Sequence, residues 1–125
     1  MSFSYGKKDK LKSKKTISRL FSEGKSVTVF PLRMIYIKVD NNYQSQHKVG
    51  VSVSKRNFKK AVERNRIKRI LREVYRLNKP ESFNNTSDTF ALMILYIGKD
   101  MPKFVSLEKS MKQLMNKFSA KKFPN

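Results

Sequence analysis

Cysteine is absent from the 125 residues, which excludes disulfides, thiolate metal sites and thiol nucleophiles. Tryptophan is absent as well, and acids are scarce, nine Asp and Glu against 29 Lys and Arg. Those acids are scattered, with no paired spacing of the kind a two-metal site needs. The single histidine, His47, stands in a polar stretch without an acid partner, so it is expected at the surface and not as a general base. Long apolar runs are missing too. The longest, Phe90 to Ile97, has eight residues, far short of the roughly 20 that span a bilayer. Met1 to Lys8 carries a basic cluster that no apolar segment follows, so no secretory signal is expected and a cytoplasmic location is.

What is present in excess is positive charge: a formal net +20 and a pI near 10.4. Unopposed, that charge repels itself, and a polyanionic partner is the natural complement. An anionic membrane fits less well, because no Lys-rich helix with a broad apolar face stands alone. The hydrophobic fraction of 38% lies below the roughly 45–50% of ordinary globular domains but above that of disordered chains. At this length one core is expected. Residues 1–12 read as a basic, flexible tail, 13–118 as a single domain, and 119–125 as a frayed end.

Apolar spacing supplies the elements. Ile17, Leu20 and Phe21 fall at i, i+3, i+4 of a short helix that Ser13 or Thr16 could cap, with Gly24 suited to the position after its end. Arg33 to Val39 reads as a strand with Ile35, Ile37 and Val39 on one face and Met34 and Tyr36 on the other. Asp40 to His47 is polar turn material. Val49 to Ser54 alternates apolar with small residues, as a half-buried strand does. Phe90 to Ile97 is apolar on both faces and belongs at the centre of a sheet. A helix from about Ala61 to Asn78, closed by Pro80, lies between these last two strands, so a βαβ unit is expected. Glu81 to Asp88 is a loop. Beyond Pro102, Leu107, Met111, Leu114, Met115 and Phe118 give the apolar stripe of a final helix.

The segment Lys55 to Arg76 is the informative one, with ten Lys and Arg against two Glu. At about 100° per residue, Ile67, Ile70, Leu71, Val74 and Leu77 share one arc, while Asn65, Lys68, Arg69, Arg72 and Arg76 cluster opposite. Phe58 and Val62 fall outside the apolar arc, so the helix is expected to begin near Ala61, after a basic loop. Solvated faces usually mix charge signs to form i, i+4 pairs. Here like charges crowd together, at a few tenths of a kcal/mol per pair, unless a polyanion neutralises them. Arginine predominates, and its planar fork holds a phosphate bidentately. Nucleic acid is the expected partner; spacing alone leaves RNA and DNA open.

Glu63-Arg64-Asn65-Arg66-Ile67-Lys68-Arg69 resembles the RNR motif of the bacterial ribonuclease P protein subunit. Lys48 to Arg56 is similar to that family's strand leading to the motif, and Leu20-Phe21-Ser22-Glu23-Gly24 to the end of its first helix. The resemblance runs from about residue 7 to 119 with the segments in register. It implies an α/β sandwich in the order α-β-β-β-α-β-α, with one strand more within 27–53 than periodicity reveals. It also implies a left-handed βαβ crossover through the basic helix, against the usual rule.

The resemblance further implies a ribonucleoprotein that removes the 5′ leader of precursor tRNA, with the active site on the RNA subunit. Magnesium ions, held mainly by RNA and substrate, would activate water there, and the protein would contribute no catalytic residue. Lys55, Arg56, Lys59, Lys60, Arg64, Asn65, Arg66, Lys68, Arg69 and Arg72 would then meet the catalytic RNA. The leader groove would map to Ile17, Phe21 and Tyr36, with Lys55 and Lys99 close by. Stacking of a single-stranded base tolerates any sequence, although Ile17 replaces the aromatic common in the family. Packing is the competing role for Phe21, as an anchor of the helix, and for Tyr36. Three other readings compete: a general RNA-binding or ribosomal protein, a DNA-binding helix protein lacking the second helix such proteins use, and a nuclease that needs no RNA subunit.

Overall fold

The computed structural model describes residues 14–39, 48–78 and 89–120. They form α1 (Lys14–Glu23), β1 (Lys25–Val29), β2 (Leu32–Val39), β3 (Lys48–Val53), α2 (Ala61–Asn78), β4 (Thr89–Tyr96) and α3 (Phe104–Ser119). The order is the expected one, and β1, read only from the resemblance, starts at Lys25. Tail 1–12, the Ser13 cap, the turn with His47, the 81–88 loop and residues 121–125 lie outside the described residues. Thr16 is inside α1 and does not cap it.

One sheet, ordered β1-β2-β4-β3, carries the fold. β1 pairs antiparallel with β2, and β2 with β4, whereas β3 and β4 run parallel and are joined through α2. β4 is interior, as its two apolar faces require. β2 and β4 each begin one residue earlier than expected, at Leu32 and Thr89, and β4 ends at Tyr96. The amide of Ile97 therefore leaves the ladder and donates to the Pro31 carbonyl at 2.9 Å. Phe30–Pro31, a cis peptide, forms the turn between β1 and β2.

The period of two divides the sheet cleanly. Met34, Tyr36, Val49, Phe90, Leu92 and Ile94 face the layer built by α2 and α3, and all are buried. That layer supplies Ile67, Leu71, Val74 and Tyr75 from α2 and the whole expected stripe of α3. The Phe118 ring meets Tyr36 and Phe90 edge-on, with centroids 5.0 and 5.4 Å apart. Because α2 packs on α3 as well as on the sheet, its buried arc is turned toward Tyr75; Leu77, expected inside, is exposed. α3 continues through Ser119, and the Ala120 amide closes it on the Asn116 carbonyl at 3.0 Å.

Among the described residues, the other face is covered by α1 alone. Leu20 packs on Ala91 and Met93, flanked by Ile17, Ile35, Ile37 and Leu95. Gly24 follows α1 with its amide bonded to the Leu20 carbonyl at 2.9 Å, but its φ is not positive. Its lack of a side chain serves close approach: a Cβ would press into the Leu20 carbonyl oxygen and Ile35 Cγ2. Because backbone is in the way, Gly24→Ala is expected to destabilise by about 1–3 kcal/mol. The fall appears as a lower urea midpoint at constant slope, and an unaltered midpoint would contradict the close approach.

Candidate nucleic-acid interface

The basic loop between β3 and α2 is held in a defined shape. Ser54 starts it, with its Oγ accepting from the Arg56 amide and its carbonyl from the Phe58 amide, both at 3.1 Å. Phe58 turns inward and is buried, its ring 5.9 Å from that of Tyr96. Asn57 Nδ2 donates to the Gly98 carbonyl at 3.4 Å, tying this loop to the one after β4. Gly98 lies so close under the Tyr96 ring that a Cβ would strike it. Tyr96 donates its hydroxyl to the Asp100 carbonyl at 2.5 Å. Burial, aided by the Asp100 charge, pushes the Tyr96 pKa up and keeps that donor protonated.

α2 continues the basic surface. Asn65, Arg66, Arg69 and Arg72 are exposed and Lys68 half-buried, with Lys55, Arg56, Lys59 and Lys60 exposed on the loop. The acids of α2 do little to offset them. Glu73 pairs with Arg76 through Nε at 3.2 Å and through Nη2, and these bonds hold the Glu73 carboxyl below the usual carboxylate range. Arg64 is different. It is half-buried, and its Nη1 donates to the carbonyls of Phe58 and Lys59, each at 2.8 Å.

On the α1 side, Phe21 is 56% exposed beside the buried Leu20, and Ile17 is half-buried. Ile35, Ile37, Met93 and Leu95 face the same side of the sheet, as do Gly50 and Ser52 of β3 by register. Lys55 and Lys99, both exposed, stand on the two loops that Asn57 and Gly98 connect. Among the described residues no three His, Cys, Asp or Glu side chains gather as a metal site would require. None of the described helices is long and apolar enough to cross a membrane.

A family model described as ribonuclease P matches residues 5–119. This chain belongs to the ribonuclease P protein family. The ribonuclease P protein component of Porphyromonas gingivalis is 34% identical over 117 residues, covering 89% of this chain and 83% of the relative. That of Dictyoglomus thermophilum is 40% identical over 78 residues, 62% of each chain. In fold, the chain is similar to the RNase P proteins of Staphylococcus aureus and Thermotoga maritima, with TM-scores of 0.66 and 0.65 at 23% and 22% identity. These cover 88% and 86% of this chain and 94% and 96% of theirs. Family membership makes the chain the protein component of a ribonucleoprotein endoribonuclease whose catalysis resides in RNA.

The residues expected to meet RNA stand on α2 and its loop, and all but Arg64, which turns back into the protein, and the half-buried Lys68 are exposed. The expected leader groove needs one correction. Tyr36 is 5% exposed and lies on the sheet face opposite α1, against Phe90 and Phe118, so it cannot share a surface with Ile17 and Phe21. A one-residue change of register moves a side chain to the other face, and the β2 residues beneath α1 are Ile35 and Ile37. Phe21 is not the anchor of α1; Leu20 is. The alternation of β2 already carried this assignment, whereas nothing in the periodicity marked Phe58 as buried.

Removing a ring from a packed core costs about 3–5 kcal/mol, whereas exposed positions change stability by roughly 0.5 kcal/mol or less. Tyr36→Ala is therefore expected to lower the unfolding free energy by about the former amount and Phe21→Ala by about the latter. Equilibrium urea unfolding of the two variants checks the contrast, and equal effects would undo it.

Proposed function

We propose that the chain, as the protein component of ribonuclease P, binds the catalytic RNA through α2 and its loop and holds the 5′ leader of precursor tRNA on the α1 side of the sheet. Lys55, Arg56, Lys59, Lys60, Asn65, Arg66, Lys68, Arg69 and Arg72 meet the RNA subunit. Ile17 and Phe21 offer apolar and stacking contact to unpaired leader bases, with Lys55 and Lys99 toward the backbone. The observation that carries the reading is the outer face of α2, a run of like charges that the acids among the described residues leave largely unneutralised. Each phosphate it meets releases counterions, which makes the affinity steeply salt-dependent.

In this reading the protein's work is to bring the two RNAs together and screen their repulsion, not to move protons. Magnesium ions are assigned to RNA and substrate phosphates, where they would supply the activation of water. The cytoplasm is where precursor tRNA would be met. A general RNA-binding role predicts equal affinity for mature and precursor tRNA, whereas the present proposal predicts tighter binding when the leader is present.

The chain mixed with catalytic RNA at low magnesium is expected to restore cleavage of precursor tRNA, and the chain alone to show none. Cleavage by the protein alone would overturn the assignment of chemistry to RNA. Arg66→Ala and Arg69→Ala are each expected to lower the salt slope of RNA-subunit binding by about one unit with unchanged melting. Phe21→Ala is expected to weaken binding of leader-bearing tRNA more than assembly with the RNA subunit, as parallel titrations would show; equal losses would remove Phe21 from the leader site.

A further inference from the structure

Arg64 occupies a position where a cation is electrostatically unwelcome. Lys60 is the residue from which α2 starts, its carbonyl accepting from the amides of Glu63 and Arg64 at 3.1 and 3.2 Å. Arg64 therefore sits at the beginning of the helix, near the positive end of the macrodipole, with Lys59 and Lys60 beside it. It also falls on the inner side of α2, three residues before the buried Ile67 and seven before the buried Leu71. Side chains on a helix lean toward its N-terminus, which aims this one back at the loop it follows. Both hydrogens of Nη1 are used there, one on the Phe58 carbonyl and one on the Lys59 carbonyl. A charged donor to carbonyls is among the stronger hydrogen bonds.

We infer that Arg64 is a positioning residue for the basic loop and makes no phosphate contact of its own, unlike Arg66 two residues on. By clamping the carbonyls of residues 58 and 59 it fixes the backbone that presents Lys59 and Lys60, and it holds Phe58 against Tyr96. The loop is thus set before any RNA arrives, so binding loses less conformational freedom when Lys55, Arg56, Lys59 and Lys60 engage. This rests on the RNA-binding reading above for its consequence, but the clamp itself is a property of the free protein.

The test joins two readouts on Arg64→Gln, with Arg64→Lys as a second variant in case the first fails to fold and Arg66→Gln as the contrast. In the free chain, exchange of the Phe58 amide, bonded to the Ser54 carbonyl, is expected to accelerate about tenfold or more in both Arg64 variants and to stay unchanged in Arg66→Gln. Binding of the catalytic RNA is expected to weaken in Arg64→Gln with its salt slope unchanged, whereas Arg66→Gln loses about one unit of slope. Unchanged Phe58 exchange in the Arg64 variants, or a slope that falls in Arg64→Gln as it does in Arg66→Gln, would overturn the inference. Should the wild-type chain fail to bind the RNA at all, the proposed function falls, while the exchange measurement still reports on the clamp.

Discussion

Like-charge repulsion along α2 is the constraint on which the rest of the structure depends. A helix that carries Arg66, Lys68, Arg69 and Arg72 with Glu73 already committed to Arg76 gains little from its own surface. It is held by its other side, where Ile67, Leu71, Val74 and Tyr75 are buried between the sheet and α3. Tertiary packing thus carries a helix whose charges work against it, and the unrelieved repulsion is what a polyphosphate partner would relieve.

The same topology arranges the ends of the site. Because β3 and β4 are parallel neighbours joined through α2, the loops that follow them emerge side by side. Phe58 on Tyr96 and Asn57 on the Gly98 carbonyl weld those loops together. Basic side chains from residues 55–60 and Lys99 therefore stand on one braced platform, next to the helix and at one end of the sheet. The α1 side lies on the opposite face of the sheet from α2 and presents the exposed Phe21 and the half-buried Ile17. That division suits a protein whose proposed partners are a folded RNA on one side and an unpaired leader on the other.

Much of this was legible in the chain. The bounds of α2, the stripe of α3 and the interior place of β4 follow from periodicities of 3.6 and 2 in apolar residues, because burial obeys those periods whatever the partner strand. What escaped depended on contacts between segments distant in sequence. Leu77 and Tyr75 exchanged places because α3 packs on one flank of α2, which no single-helix pattern reports. Phe58 lies in a loop, where periodicity has no meaning. The resemblance places Tyr36 with α1, although the alternation of β2 puts it on the opposite face. The motif groups Arg64 with its neighbours, yet its spacing to Ile67 and Leu71 turns it inward.

In the proposed assembly, α2 lies against the catalytic RNA. Because the chain has no cysteine, an iron chelate can be tethered at single positions, Arg69→Cys on α2 and Lys112→Cys on the exposed side of α3 for comparison. Hydroxyl radicals generated from position 69 are expected to cut a confined set of nucleotides in the catalytic RNA, with little cutting from position 112. An active particle in which position 69 yields no cuts would contradict the account.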